Sequence, residues 1–209
     1  MEGPRTLKPV QWCAMQWTQG QDSSRRVRLL LACCSVLLSR MVHADPGAGL
    51  DEKVQAILAR GQAPLEHLAK DPAVLSDILA RNAQARSAEQ SRSMQALWTT
   101  ADAGSPLIKP YLDNASALAF KKAMKLHPGL SKVFSLGKDG AVVATVPKCH
   151  DFIHGFEPKF LVCFKSGTTH VNEPALDLTS KQYSVQVSVP VKDGQGVVQG
   201  VLVGTFGIH

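Results

Sequence analysis

The densest run of chemistry-bearing side chains is Cys149-His150-Asp151-Phe152-Ile153-His154, with Glu157 and Lys159 close behind and Cys163 beyond them. As a small-molecule site, the run combines both charge signs. Lys159 or a protonated histidine would neutralise a small carboxylate, and Asp151 would orient that ligand or bind an amine. As a metal site, Cys149, His150, His154 and Cys163 offer the nitrogen and sulfur ligands that zinc takes. The spacing argues against metal, because His150 and His154 fall in an expected loop and neither cysteine sits in a Cys-x-x-Cys pair. The third reading is a polar loop with no ligand at all.

These residues need a scaffold, and the last third of the chain reads as one. Five strands are expected: Ser131–Leu136, Ala141–Val146, Lys159–Lys165, Lys181–Val191 and Gly196–Gly207. Their Val, Phe and Thr content suits a pleated, half-buried surface. Gly137-Lys138-Asp139-Gly140 and Lys192-Asp193-Gly194-Gln195 carry Asp-Gly hairpin chemistry. Along 181–191, Tyr183, Val185, Val187 and Val189 share one face, and Gln182, Ser184, Gln186 and Ser188 the other. The apolar face should meet a helix. The polar face either lines a small pocket, with Gln186 and Ser188 as hydrogen-bond donors, or is a wetted exterior.

Helices are expected upstream. Leu50–Leu68 has helical spacing interrupted by Gly61 and Pro64, giving one short helix or a kinked pair. Asp71-Pro72 is a helix start, and apolar positions from Val74 to Trp98 predict one helix of about 28 residues ending near Thr99-Thr100. A further helix spans Tyr111–Leu126, with Lys121, Lys122 and Lys125 on its wet face. Domain organisation follows: 1–44 N-terminal extension and signal peptide, 45–70 tether and short helix, 71–209 the folded domain. The fold class is α+β, with an antiparallel five-stranded sheet backed by a long N-terminal helix.

The N-terminus carries an export signature. Arg25, Arg26 and Arg28 precede the short apolar run Leu29–Leu38, and Val42-His43-Ala44 supplies small residues for cleavage after Ala44. The expected location is therefore periplasmic or secreted. Met15 is a candidate for the true start. Of the 23 Lys/Arg and 17 Asp/Glu, six and two lie in the first 44 residues, so the remainder is only slightly basic. That gives no case for nucleic acid. Cys149 and Cys163 alone remain after cleavage, and a disulfide between them is the plain reading in an oxidising compartment.

Several segments together resemble the Cache domain, a PAS-like extracytoplasmic sensor of the single-Cache type. The first hairpin Val133–Thr145 resembles the family's opening hairpin. The 150–160 loop resembles its Asp-aromatic, Gly, acidic, aromatic loop. Tyr183–Val191 with Gly196 and Gly200–Gly204 resembles its final hairpin, and Trp98 its helix-end tryptophan. The candidate ligand-binding residues are Trp98, Asp151, Phe152, Lys159, Tyr183 and Gln186: Trp98 and Tyr183 are the large aromatics that could edge a pocket, with helix-to-sheet packing as the alternative for Trp98. The Arg-x-Trp-Tyr pattern of amino-acid-binding double Cache domains is absent, so amino acids are not the favoured ligand. With no apolar run after Gly207-Ile208-His209, the expectation is a free-standing exported domain that works with a separate membrane-bound signalling partner.

No Gly-x-Ser-x-Gly, phosphate-binding glycine loop or framed carboxylate pair appears. An enzyme is not expected, nor a cofactor or a metal. The leading function is binding of a small organic ligand, such as a short carboxylate, for signal sensing. The alternatives are a pocketless interaction protein of the cell envelope and a small periplasmic redox or metal protein. Oligomeric state is left open.

Overall fold

The computed structural model describes residues 46–84, 86–177 and 181–208. The signal-peptide reading of residues 1–44 lies outside the described residues. Asp71 opens the helical region of the core. Its carboxylate accepts from the Ala73 N–H at 2.8 Å and Pro72 takes the first turn, which starts α2, Pro72–Asn82. The expected long helix stops there. Arg81 and Asn82 turn their side chains onto the sheet, and Ser87 starts α3, Ala88–Thr100, with a capping box to Gln90. A Ser-x-x-Gln signal inside a polar stretch therefore divides what the periodicity joins.

Before α2, α1 runs unbroken over Pro46–Leu68, with Pro64 inside it. The expected tether at 45–49 is thus helical from Pro46. Leu65 and Leu68 are buried in the main core, so the 70/71 boundary falls inside one packed unit. Gly61 is the close-approach point: a Cβ there would lie 2.5 Å from the Phe206 ring. Further on, α4 (Lys109–Leu112) and α5 (Ala115–Leu126) replace the single helix expected over 111–126. Asn114 divides them by accepting from the Ala117 N–H, the N-cap of α5.

The sheet contains β1 (Leu130–Leu136), β2 (Val142–Val146), β3 (His170–Val171), β4 (Ala175–Asp177), β5 (Gln182–Lys192) and β6 (Val198–Gly207). All pairings are antiparallel, in the order β2-β1-β6-β5-β3, with β4 also pairing along β5. This is the PAS-like α+β plan that the sequence leads one to expect. One strand is not: residues 159–165 form α6, Pro158–Ser166. The reason is local. Pro158 sits in the first turn, Phe160, Cys163 and Phe164 follow helical spacing, and Gly167 ends the helix in a left-handed cap at φ 64°. The outer edge of β5 is filled by the short β3 and β4 instead.

The two sheet faces bury different cores. Val185, Val187, Val189 and Val191 meet Leu65, Val74, Ile78 and Phe120 of α1, α2 and α5. On the opposite face, Phe134, Leu136, Val201 and Val203 pack with Trp98, Phe152, Phe160 and Cys163. Helices thus cover both faces, and the second layer carries the 149–157 loop. Among the described residues, no helix is long and apolar enough to cross a membrane.

Candidate functional site

The 149–157 loop is held from two sides. From α3, the Trp98 Nε1–H donates to the Cys149 carbonyl at 2.9 Å. One turn earlier, Gln95 Oε1 accepts the Phe152 and Ile153 N–H groups at 2.7 and 2.9 Å, while its Nε2 donates to Asp151 Oδ1 at 2.8 Å. From the β1–β2 turn, the Gly140 carbonyl accepts the His154 N–H at 2.8 Å. Gly140 has φ 71°, and a Cβ on it would lie 2.2 Å from the Gly155 Cα. Glycine is required there for both reasons.

That turn is itself fixed. Asn82 accepts the Lys138 N–H at 2.9 Å and donates to the Gln199 carbonyl at 2.8 Å. Arg81 is paired with Asp139. The loop, the hairpin tip and the end of α2 therefore form one connected unit.

Between the loop and β5 lies a cavity of about 260 Å³. It is walled by Lys132 and Phe134 of β1, by Cys149, His150, Asp151, His154 and Glu157 of the loop, by Lys159 of α6, by the 172–177 segment, and by Ser184 and Gln186 of β5. Its charges are organised as pairs. Lys132 meets Asp177 at 2.8 Å, both side chains under a tenth exposed. Glu157 receives Lys159 Nζ at 2.6 Å and His154 Nδ1 at 2.6 Å. Burial alone would push the Glu157 carboxyl up, but the hydrogen bonds from His154 and Lys159 outweigh it and hold the group below the usual carboxylate range. His154 Nε2 lies 3.0 Å from the Asp151 carbonyl, and both its ring and the Lys159 ammonium rest near the Phe134 ring.

Three of the six residues expected at a ligand site, Asp151, Lys159 and Gln186, line this cavity. Trp98 and Phe152 do not; both are fully buried behind the loop, with rings tilted against each other and edge-on to Tyr111 at 5.2–5.6 Å. They support the wall instead of forming it. Tyr183 is 59% exposed at the outer end of β5, beyond the reach of the helices that cover Val185 onward. Its strand parity was readable, but where the helical cover stops was not.

The expected Cys149–Cys163 disulfide is absent: both cysteines are free and buried. Cys163 lies on α6, facing the second core, and the Cys149 thiol donates to the Asp151 carbonyl at 3.1 Å. Burial raises the thiols to about 11 for Cys149 and about 12 for Cys163, so neither is a ready nucleophile or thiolate ligand near neutrality. Among the described residues, no group of three or more His, Cys, Asp or Glu is placed to hold a metal.

Sequence reasoning passed over Lys132, Gln95, Glu173 and Asp177. Lys132 had a signal, since it alternates with Phe134 and Leu136 on one face of β1. A lysine in that register needs a buried partner. Gln95 stands three residues before Trp98 on α3, the spacing that puts both on one helix face. Glu173 and Asp177 had none, because strand assignments had placed no element there.

The architecture is a PAS-like α+β fold. Similar solved structures include the sensor domain of the V. cholerae histidine kinase DctB (18% identity, TM-score 0.47, covering 77% of this chain and 54% of that one). They also include the ligand-binding domain of the Pseudomonas aeruginosa PAO1 amino acid chemoreceptor PctB in complex with L-Arg (18%, 0.41, 77% and 56%) and the sensory domain of the Campylobacter jejuni chemoreceptor Tlp3 (13%, 0.39, 75% and 63%). The chain spans a little over half the length of the first two. No family profile matches the sequence, and neither does any curated protein.

Proposed function

We propose that this chain is an extracytoplasmic ligand-binding sensor module. It takes a small polar molecule into the cavity between the 149–157 loop and β5, and occupancy is read by a membrane-bound signalling partner. The cavity itself carries this reading: five separate segments converge polar side chains on one recess of a few hundred cubic ångströms. The export signature at 25–44 supports the compartment, and the unreactive thiols weigh against a redox role.

Calorimetry of the purified protein against a panel of C2–C6 acids, amines and amino acids tests the reading. Binding at one site per chain is expected, and it should vanish in Gln186→Trp, where the larger side chain fills the recess from β5. Silence across the panel, or binding unaffected by Gln186→Trp, overturns it.

A further inference from the structure

The charge arrangement of the cavity selects among ligand classes. Two lysines and four carboxylates line it. Both lysines are committed to carboxylates, Lys132 to Asp177 and Lys159 to Glu157. A ligand carboxylate would have to break one of those pairs, leaving a carboxylate of the protein in a poorly hydrated place. Adding a charge on both His150 and His154 only brings the cavity to balance, with no cation in excess. Two acidic groups retain acceptor capacity. Asp151 holds only Gln95 and the exposed His150, and Glu173 takes no hydrogen-bond or ion-pair partner among the described residues.

The β5 wall points the same way. It presents Ser184 and Gln186 to the cavity. A neutral hydroxyl and the Gln186 amide can hydrogen-bond an ammonium or an amine, and neither brings positive charge toward an anion. The volume lies at the small end for ligand cavities, so only a short chain fits.

We infer that the cavity takes a small primary amine or diamine, bound as its ammonium form through Asp151 and Glu173, in preference to a carboxylate. This rests on the cavity being the ligand site proposed above, and it replaces the short carboxylate that the sequence first suggested.

A matched four-carbon series isolates the charge: putrescine, 4-aminobutyrate and succinate, titrated calorimetrically into the purified protein. Affinity should fall in that order. The Asp151→Asn/Glu173→Gln double variant, with its thermal melt checked against the parent, should weaken putrescine by at least about tenfold, the loss of one charge-assisted hydrogen bond. If the double variant does not fold, Glu173→Gln alone, at an exposed position, should still weaken putrescine measurably. Succinate binding with putrescine silent overturns the amine assignment while leaving the sensor reading intact. Putrescine binding unchanged in the folded variants also overturns the assignment. Silence with all three ligands and across the wider panel sinks both.

Discussion

Gln95→Ala should loosen the pocket wall without touching the cavity. Gln95 makes three hydrogen bonds to one loop, two accepted from the Phe152 and Ile153 N–H groups and one donated to the Asp151 carboxylate. A neutral bond of this kind contributes about 0.5–1.5 kcal/mol net, and one to a charged group about 1.5–3 kcal/mol. The gross loss is then about 2.5–6 kcal/mol. Gln95 is half-buried, so water can replace part of it, and alanine gains a few tenths of a kcal/mol in helix propensity. A net destabilisation of about 2–3 kcal/mol is expected, which in a domain of this size lowers Tm by roughly 5–10 °C. Differential scanning fluorimetry measures the shift, and hydrogen exchange at Phe152 and Ile153 locates it. Gln95→Glu separates the contributions. It retains acceptors for both N–H groups but sets a second carboxylate against Asp151, so exchange at Phe152 and Ile153 should stay slow while stability falls. A Tm within about 1 °C of the parent in Gln95→Ala, with exchange unchanged, would refute the view that α3 holds this loop.

Other expectations follow from single contacts. Gly61→Ala should destabilise the protein despite a helix-propensity gain near 1 kcal/mol, because its Cβ would stand 2.5 Å from the Phe206 ring; the denaturant midpoint reads the sign. Gly140→Ala combines a positive φ with a 2.2 Å approach to the Gly155 backbone, so it should cost more than Gly61→Ala in the same assay. Glu157 has a depressed carboxyl, so its contribution is complete above its unfolded value near 4.5 and is lost as pH falls through the lower folded value. The Tm difference between parent and Glu157→Gln should therefore be constant near neutrality and shrink only in that acid window. Iodoacetamide at pH 8 should leave Cys149 and Cys163 unlabelled in the native protein and label both in denaturant without reductant, as peptide mass spectrometry would read.

The hairpins were legible because their signals are local: Asp-Gly turns and alternating β-branched runs fix β1–β2 and β5–β6 within a residue or two. The errors have local causes as well. Residues 159–165 alternate poorly but are rich in Phe, Leu and Val, a composition that fits strand or helix. The Glu157-Pro158 start and the Gly167 stop decide for helix. The break between α2 and α3 lay in Ser87 and Gln90, a capping pair hidden in a polar tract. For the candidate site, Asp151, Lys159 and Gln186 line the cavity, and polar side chains in a loop and on one strand face are visible in sequence. Trp98, Phe152 and Tyr183 lie away from this cavity, because which side of a loop an aromatic occupies depends on the tertiary cover. The carboxylates Glu173 and Asp177 were hidden for the same reason, since they join the cavity only through the outer edge of β5.

The contact between Gly140 and Gly155 sets backbone directly on backbone. Side chains usually cushion such junctions, because a rotamer change can absorb a small shift. Here no rotamer intervenes. A displacement of His154 and Gly155 by whatever enters the cavity would press on the hairpin tip, and the tip is bonded to Asn82 and Arg81 at the end of α2. The join would therefore pass such a displacement from the polar recess on one face of the sheet toward a helix on the other without a side chain to absorb it.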